Sequence, residues 1–104
     1  MLPDVEKFIW RKKKTVKAVE KEKIFKALGD ANRLIIMDLI SEQELSAGQI
    51  LQQVTMGQST LSHHMKILCD SGIVNARKDS RWVYYTINKE AVREISEEML
   101  VWAK

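Results

Sequence analysis

The middle of the chain combines two helical patterns with a break of only a few residues between them, and few folds accommodate this spacing. Ser46 is a suitable N-cap for the helix predicted over residues 47–54, which is followed by a turn at residues 55–57. A second helix is predicted from about residue 58 to residue 70, and Gly72 marks its end. The apolar residues that recur at helical spacing are Ile50, Leu51 and Val54 in the first segment and Leu61, Met65 and Leu68 in the second. The pattern therefore predicts two short helices that flank a tight turn.

A β-hairpin with a charged tip is predicted directly after these two helices. An apolar segment at residues 73–76 leads to the polar segment 77–81, which is followed by an aromatic and β-branched run at residues 82–87. The basic residues of the tip are Arg77, Lys78 and Arg81. Helix, turn, helix and basic hairpin, in this order, are typical of a winged helix-turn-helix domain. In such a domain one helix enters the major groove of duplex DNA and the hairpin reaches the phosphates.

Helices are also predicted on both sides of this central unit. Before it, residues 1–19 form a predicted helical extension, residues 21–28 form a helix that Gly29 ends, and Asp30 caps a third helix. The apolar faces expected for these helices are Val5, Phe8 and Ile9 in the extension, Ile24, Phe25 and Leu28 in the next helix, and Leu34, Met37 and Leu39 or Ile40 in the third. After the hairpin, Asn88 caps a final helix, whose apolar stripe consists of Val92, Ile95, Met99 and Trp102.

Composition agrees with a mostly helical fold, because 4 Gly and 1 Pro provide little material for the many turns of a sandwich or barrel. A length of 104 residues suits one domain. We therefore expect a mainly α fold with a small β-hairpin wing, as a single winged helix-turn-helix domain over residues 1–104. Its expected parts are an N-terminal helical extension at residues 1–19, the helix-turn-helix at 46–72, the wing at 73–87 and a C-terminal dimerisation helix at 88–104.

The basic charge of the chain is concentrated near its N-terminus. Residues 1–28 contain nine Lys or Arg against four Asp or Glu, residues 29–60 one against four, and residues 61–104 seven against six. The net charge of +3 permits nucleic-acid binding without requiring it. The run from Arg11 to Lys14, together with Lys17, is either a solvated helix face or a contact for phosphate or a membrane surface.

Cysteine content and hydropathy predict a cytoplasmic chain. Cys69 is the single cysteine, so an intrachain disulfide is excluded, and its side chain is expected to be buried or half-buried. No apolar run reaches the roughly 18 residues that a transmembrane helix needs, and the first eight residues lack the pattern of a secretory signal. We therefore expect neither membrane insertion nor export.

The helix predicted from residue 58 turns polar side chains away from its apolar stripe, mostly in its N-terminal half. Short polar side chains at this place are suited to read base edges in the major groove, while basic hairpin residues contact phosphates or the minor groove. The predicted DNA contacts are Gln58, Ser59, Thr60, Ser62, His63, His64 and Lys66 in the helix, and Arg77, Lys78, Arg81 and Tyr85 in the hairpin.

Two pairs of neighbours in this region leave a choice open. His63 and His64 are either DNA contacts or an ordinary surface histidine beside a partly buried one. Tyr84 and Tyr85 alternate across their strand, so that one packs on the core and the other is free to reach a phosphate. The order of residues along the chain does not decide which tyrosine is buried.

Three segments of the chain resemble the ArsR/SmtB family of bacterial and archaeal repressors. The segment GQSTLSHHMKILCDSGIV is similar to the family's recognition helix and the short strand after it, and RKDSRWVYYTI is similar to its wing. Upstream, FKALGDANRLIIMDLI resembles the family's Leu-Gly-Asp-Pro-Thr-Arg-Leu stretch, with Arg33 retained and with Ala31 and Asn32 in place of Pro and Thr. The resemblance covers about residues 20–103.

The resemblance implies a homodimeric repressor that binds double-stranded DNA. In this family the first and last helices pack between protomers, so that two recognition helices meet successive major grooves of a near-palindromic operator. The apolar stripe of the last helix has little of its own chain left to cover it, which also favours a partner subunit. The predicted dimer interface consists of Val5, Phe8, Ile9, Val92, Ile95, Met99 and Trp102.

The metal-binding residues of many relatives are missing at the matching positions. Their pattern Glu-Leu-Cys-x-Cys-Asp-Leu corresponds here to residues 44–50, where Ser46 and Gly48 replace both thiolates. Residues 88–104 contain no His, and Ala91 stands where the first His of the family's other metal site would fall. We therefore expect no metal site, no cofactor and a regulator that does not respond to metals.

A different class of function is a winged-helix protein-interaction module that does not bind DNA and uses the basic N-terminal helix on an acidic partner or a membrane surface. The polar helix face and the basic wing favour the DNA-binding regulator over this alternative. An enzyme is not expected, because the chain has no Gly-rich phosphate loop, no recognisable pair of catalytic carboxylates, and no nucleophile with a base and an orienting group.

Overall fold

The computed structural model of the protein describes residue 18 and residues 20–104, and in this part helices alternate with short strands. The elements are α1 (residues 20–28), α2 (Ala31–Glu42), β1 (Leu45–Ser46), α3 (Ala47–Leu51), α4 (Gln58–Ser71), β2 (Val74–Asp79), β3 (Trp82–Ile87) and α5 (Lys89–Trp102). The predicted mainly helical fold with a small β-hairpin is confirmed. Most of the predicted N-terminal extension lies outside the described residues, and with it Val5, Phe8, Ile9 and the basic run from Arg11 to Lys14.

Side chains at the helix starts accept hydrogen bonds from N–H groups that have no partner within the helix. Asp30 and Asn88 each accept the backbone N–H three residues later, at 3.2 Å, and so cap α2 and α5. Ser46 and Gln49 form a reciprocal capping box at the start of α3. Helix α4 ends at Gly72, whose φ of 87° lies in the left-handed region that favours glycine. The starts of these helices and the end of α4 therefore follow from local sequence, whereas α3 ends at Leu51, three residues before its predicted end.

The three strands form one antiparallel sheet in the order β1-β3-β2. β2 and β3 pair along their whole length, and residues 80–81 form the turn at the tip. β1 pairs with the other edge of β3, with Leu45 opposite Tyr85. Two residues are too few to produce a recognisable sequence period, so β1 was not predictable in this way. It joins the base of the hairpin to the start of α3.

The core lies where α2, α3 and α4 meet the base of the sheet. The predicted inward stripe of α4 is confirmed, since Leu61, Met65 and Leu68 are at most 2% exposed. The largest side chains that are fully buried are Ile36, Ile50, Met65, Leu68 and Ile73. This packing fixes the rotation of α4 about its own axis and thereby decides which of its side chains reach solvent.

The buried face of α2 differs from the predicted one. Spacing predicts Leu34 on the inner face, but this side chain is 49% exposed, and Met37 is only half-buried. Ile36 and Ile40 are buried instead, at 0% and 3% exposure. The segment from residue 34 to residue 40 is apolar on more than one side, so its spacing fits several rotations, and packing against α4 and β3 selects one of them.

Candidate nucleic-acid interface

Helix α4 presents a polar face to solvent, mostly along its N-terminal half. Its exposed polar residues near this end are Gln58, Ser59, Thr60, Ser62, His63 and Lys66. The N-cap Gly57 offers no side-chain hydrogen bond, so the first N–H groups of α4 stay available and the positive end of the helix dipole is not neutralised by a cap. Lys66 donates to Asp70 Oδ2 at 2.8 Å, and this hydrogen bond raises the pKa of Lys66. The face is suited to contact a negatively charged, hydrogen-bonding surface.

His64 does not belong to this exposed face, which disfavours the DNA contact that the sequence predicts for it. Its side chain is buried at 8% exposure, whereas the adjacent His63 is exposed. Neighbours on an α-helix point about 100° apart, so packing of the apolar stripe leaves only one of them in solvent. His64 Nδ1 lies 3.1 Å from Arg33 Nη1. The second of the two open interpretations therefore describes this pair: a surface histidine beside a buried one.

Arg33 connects the recognition helix to the end of α1. A guanidinium only donates hydrogen bonds, so His64 Nδ1 is the acceptor in this contact. Arg33 Nε donates to the carbonyl oxygen of Ala27 at 2.5 Å, and Nη2 donates to that of Lys26 at 3.3 Å. One side chain thus joins α1, α2 and α4. Local sequence predicts no hydrogen bond between Arg33 and His64, because the two residues lie 31 positions apart. Arg33 stands out in the sequence only as part of the segment that resembles the family.

At the hairpin, Arg77 forms an ion pair with an acidic residue of the same chain. Its Nη2 and Nε donate to the two carboxylate oxygens of Glu44 at 2.7 and 3.2 Å. These bonds lower the pKa of Glu44 and raise the pKa of Arg77. The guanidinium also lies over the Tyr84 ring, 4.7 Å from its centroid. A phosphate contact by Arg77 would therefore compete with Glu44, which sequence reasoning did not place near the hairpin.

The tip of the hairpin is less constrained than its base. Lys78 and Arg81 are exposed, and neither forms an ion pair within the part of the chain that the structure describes. The Arg81 guanidinium lies over the Trp82 ring at 5.3 Å from its centroid, and Trp82 is 50% exposed. Trp82 was not among the predicted site residues, although an aromatic residue next to a basic tip is a usable signal. The tip thus offers two cations and one large aromatic surface.

The structure decides between the two tyrosines of β3. Tyr85 packs against the buried core, and burial raises the pKa of its hydroxyl. Tyr84 lies on the other face of the strand, against Arg77. This arrangement favours Tyr84 over the predicted Tyr85 as the tyrosine that is free to reach a phosphate. The physical reason is the pairing of β1 with β3, which places Leu45 opposite Tyr85 on the inner side.

A second exposed surface is apolar and follows α5. Ile95 is 8% exposed and belongs to the core of the chain, so it offers little surface to the predicted dimer interface. Leu34 of α2 completes a groove of about 490 Å³ between α2 and α5, which Val92 and Met99 also line. Trp102 stacks on Phe25 of α1 with ring centroids 6.4 Å apart. The exposed apolar residues of α5 are Val92, Met99, Leu100, Val101 and Trp102, of which Leu100 and Val101 were not predicted.

The positions that match the thiolate pattern of metal-binding relatives have a structural role here. Ser46 is 8% exposed, and its Oγ accepts the N–H of Gln49 at 3.2 Å in the capping box of α3. Among the described residues, no group of three or more His, Cys, Asp or Glu side chains is placed to hold a metal ion. In the same part of the chain, no helix combines the length and the apolar character required to cross a bilayer.

The sequence and the structure of this chain are similar to those of known proteins of one family. The family model of bacterial regulatory proteins of the ArsR family matches residues 30–76. An HTH-type transcriptional regulator of Methanocaldococcus jannaschii is 42% identical over 73 residues, which cover 69% of this chain and 82% of the relative. The arsenical resistance operon repressor of Staphylococcus aureus is 41% identical over 76 residues, or 73% of each chain.

A solved structure agrees with these sequence relatives. The homodimeric winged helix-turn-helix DNA-binding domain of a Mycobacterium bovis protein superposes with a TM-score of 0.72 at 29% identity, covering 86% of this chain and 83% of that one. The family resemblance read from the three sequence segments is thereby confirmed. This chain belongs to the ArsR family of winged helix-turn-helix, DNA-binding transcriptional regulators.

Proposed function

We propose that the protein is a homodimeric, sequence-specific repressor that binds a near-palindromic operator without responding to metals. The observation that carries the proposal is the exposed polar face of α4 beside a basic hairpin tip, on a subunit with an uncovered apolar surface along α5. Ser62 and His63 are the proposed base-reading residues, because both are exposed on the middle of the helix that enters the groove. Lys78 and Arg81 are the proposed phosphate contacts.

Dimerisation is proposed through α5 and the groove beside it. Val92 is 40% exposed, Met99 47% and Trp102 68%, so α5 leaves three large apolar side chains uncovered. A second copy offers the same groove, so a two-fold axis lets each α5 cover its counterpart. Two recognition helices are then available for half-sites about 34 Å apart, one turn of B-DNA.

Metal independence is proposed from the residues at both family metal positions. Ser46 and Gly48 offer no thiolate, and α5 contains no histidine. The relative in Staphylococcus aureus is named for arsenical resistance, but this chain lacks soft donors at the matching positions. Titration of the protein–operator complex with Zn²⁺, Cd²⁺, Ni²⁺ and arsenite should leave the affinity unchanged. A tenfold loss at stoichiometric metal, reversed by a chelator, would contradict this part of the proposal.

The experiment that tests the proposed function is a selection of genomic fragments with purified protein, followed by binding measurements on the enriched site. Ser62→Ala and His63→Ala should each weaken operator binding by on the order of 1–3 kcal/mol and relax sequence preference. Arg81→Ala should weaken binding to all DNA alike and lower the salt slope by about one. Lys89→Gln, which removes an exposed charge at the start of α5, serves as the control. Failure to enrich any sequence would favour the protein-interaction module instead.

A further inference from the structure

A recess of about 510 Å³ lies where the end of α1 crosses the second half of α4. Half-buried Ile67 provides apolar surface in the recess, with Ala27 fully buried beneath it, and the charged residues that line it are Lys23, Lys26, Arg33 and Asp70. Small-molecule sites in proteins are typically about 300–1,000 Å³, mostly apolar, with a few polar groups that fix orientation. The recess is separate from the α4 face and hairpin tip assigned to DNA and from the groove between α2 and α5.

The charges around the recess do not cancel. Asp70, the acidic residue of the wall, is already paired with Lys66 at 2.8 Å, and Lys26 is paired with Glu22 at 3.0 Å. Lys23 has no ion pair within the described part of the chain. One cation of the recess is thus left without a carboxylate partner.

Arg33 is the second cation of the recess whose side chain donates to no carboxylate among the described residues. Its side-chain acceptors are two carbonyl oxygens of α1 and the imidazole of His64. Asp30 lies close enough for Arg33 to lower its pKa, but its carboxylate accepts the backbone N–H of Arg33 and not the guanidinium. Two positive groups beside an apolar surface are complementary to an anionic head group carried by an apolar body.

We propose that this recess binds an organic anion, in which a carboxylate pairs with Lys23 and Arg33 and an apolar ring or chain lies on Ile67. The guanidinium that faces the ligand is the one that donates to His64 of α4. A bound carboxylate competes with His64 for the Arg33 guanidinium and weakens the hydrogen bond between Arg33 and α4. A ligand in the recess therefore lowers operator affinity. This last step rests on the proposed DNA-binding function, whereas ligand binding itself does not.

The binding step is tested without DNA. The probe is 2-naphthoate, titrated into ¹⁵N-labelled full-length protein and followed by amide chemical shifts, with the neutral 2-naphthamide as a matched compound. We expect saturable shifts at residues 23, 26, 27, 33, 67 and 71 with the carboxylate and none with the amide. Lys23→Gln, at an exposed residue with no described partner, should reduce the affinity at least threefold, while Lys89→Gln leaves it unchanged.

Each result of this titration bears on the site. Absence of saturable shifts, equal binding of the neutral amide, or shifts confined to the groove between α2 and α5 would overturn the proposed anion site. Equal affinity in Lys23→Gln would overturn the assignment of that lysine as a ligand group.

The coupling step is tested on the operator by fluorescence anisotropy. Saturating 2-naphthoate should raise the operator Kd at least threefold in the unmodified protein and leave it nearly unchanged in Lys23→Gln. Saturable binding in the amide spectra with no change in operator Kd would overturn the coupling and support the site alone. If no operator is enriched at all, the proposed function fails, and the shift titration still decides whether the recess is an anion site.

Discussion

Substitution of the two adjacent histidines of α4 tests which of them stabilises the fold and which contacts DNA. His64 is buried and accepts a hydrogen bond from the Arg33 guanidinium, while His63 is exposed on the same turn of the helix. His64→Ala should therefore destabilise the fold, and His63→Ala should weaken operator binding with little effect on stability. The two substitutions are chemically identical and one residue apart, so each is the control for the other.

The size of the His64 effect follows from what the substitution removes. A hydrogen bond with a charged donor contributes about 1.5–3 kcal/mol to stability, and loss of a buried ring leaves unfilled space in addition. We expect His64→Ala to lower the free energy of unfolding by roughly 2–4 kcal/mol. His63→Ala should change it by less than about 0.5 kcal/mol, as is usual for a surface site. His64→Asn, whose side-chain oxygen also accepts a hydrogen bond, should recover part of the loss.

Urea unfolding followed by circular dichroism measures the stability of each variant, at one fixed protein concentration because the stability of a dimer depends on concentration. Fluorescence anisotropy on the selected operator measures affinity at a temperature where every variant is folded. The reasoning is refuted if His64→Ala unfolds at the same urea concentration as the unmodified protein while losing as much operator affinity as His63→Ala. That result would show that His64 acts on operator affinity and not on the stability of the fold.

Three further predictions concern two glycine positions, the groove beside α5 and the cap of α2. Gly72→Ala should lower the free energy of unfolding, measured with urea, by about 1–2 kcal/mol, because the φ of 87° disfavours a side chain even though a Cβ would meet nothing within 4 Å. Gly48→Ala within α3 should raise the free energy of unfolding by up to about 1 kcal/mol, since a helical φ suits alanine and the added Cβ would lie 3.9 Å from Ser46 Oγ. Met99→Glu should place a charge in the groove beside α5 and shift sedimentation equilibrium from dimer to monomer; a dimer of unchanged affinity would contradict the interface. The hydrogen bond from the backbone N–H of Arg33 lowers the pKa of Asp30 below its ordinary value of 3.8. The ionised Asp30 carboxylate therefore contributes its full stabilisation at pH values well above 3.8, and this stabilisation is lost as the pH falls through the pKa of the folded protein. Asn also caps a helix, so the stability difference between the unmodified protein and Asp30→Asn reports the charge of the carboxylate. This difference should shrink as urea unfolding is repeated from pH 7 down to pH 3, and a constant difference would contradict the lowered pKa of Asp30.

Several features of this protein are determined by local sequence. The caps at Asp30, Ser46 and Asn88 and the left-handed end at Gly72 lie within three residues of the groups they satisfy, so neighbours along the chain are enough to predict them. The inward stripe of α4 follows from a single 3.6-residue period with polar residues on the other side. The order of helix, turn, helix and basic hairpin is likewise local, and it was sufficient to predict the fold.

Features that depend on partners far along the chain were decided by the tertiary structure. His64 became a buried acceptor because Arg33, 31 residues earlier, reaches it, and Arg77 is held by Glu44, 33 residues earlier. Tyr85 faces the core because the two-residue strand β1 pairs with β3, and no sequence period announces so short a strand. The spacing of apolar residues leaves each helix or strand a few possible buried faces. Contacts between elements select one of these faces, because faces of similar hydropathy differ only in how well they pack in the interior.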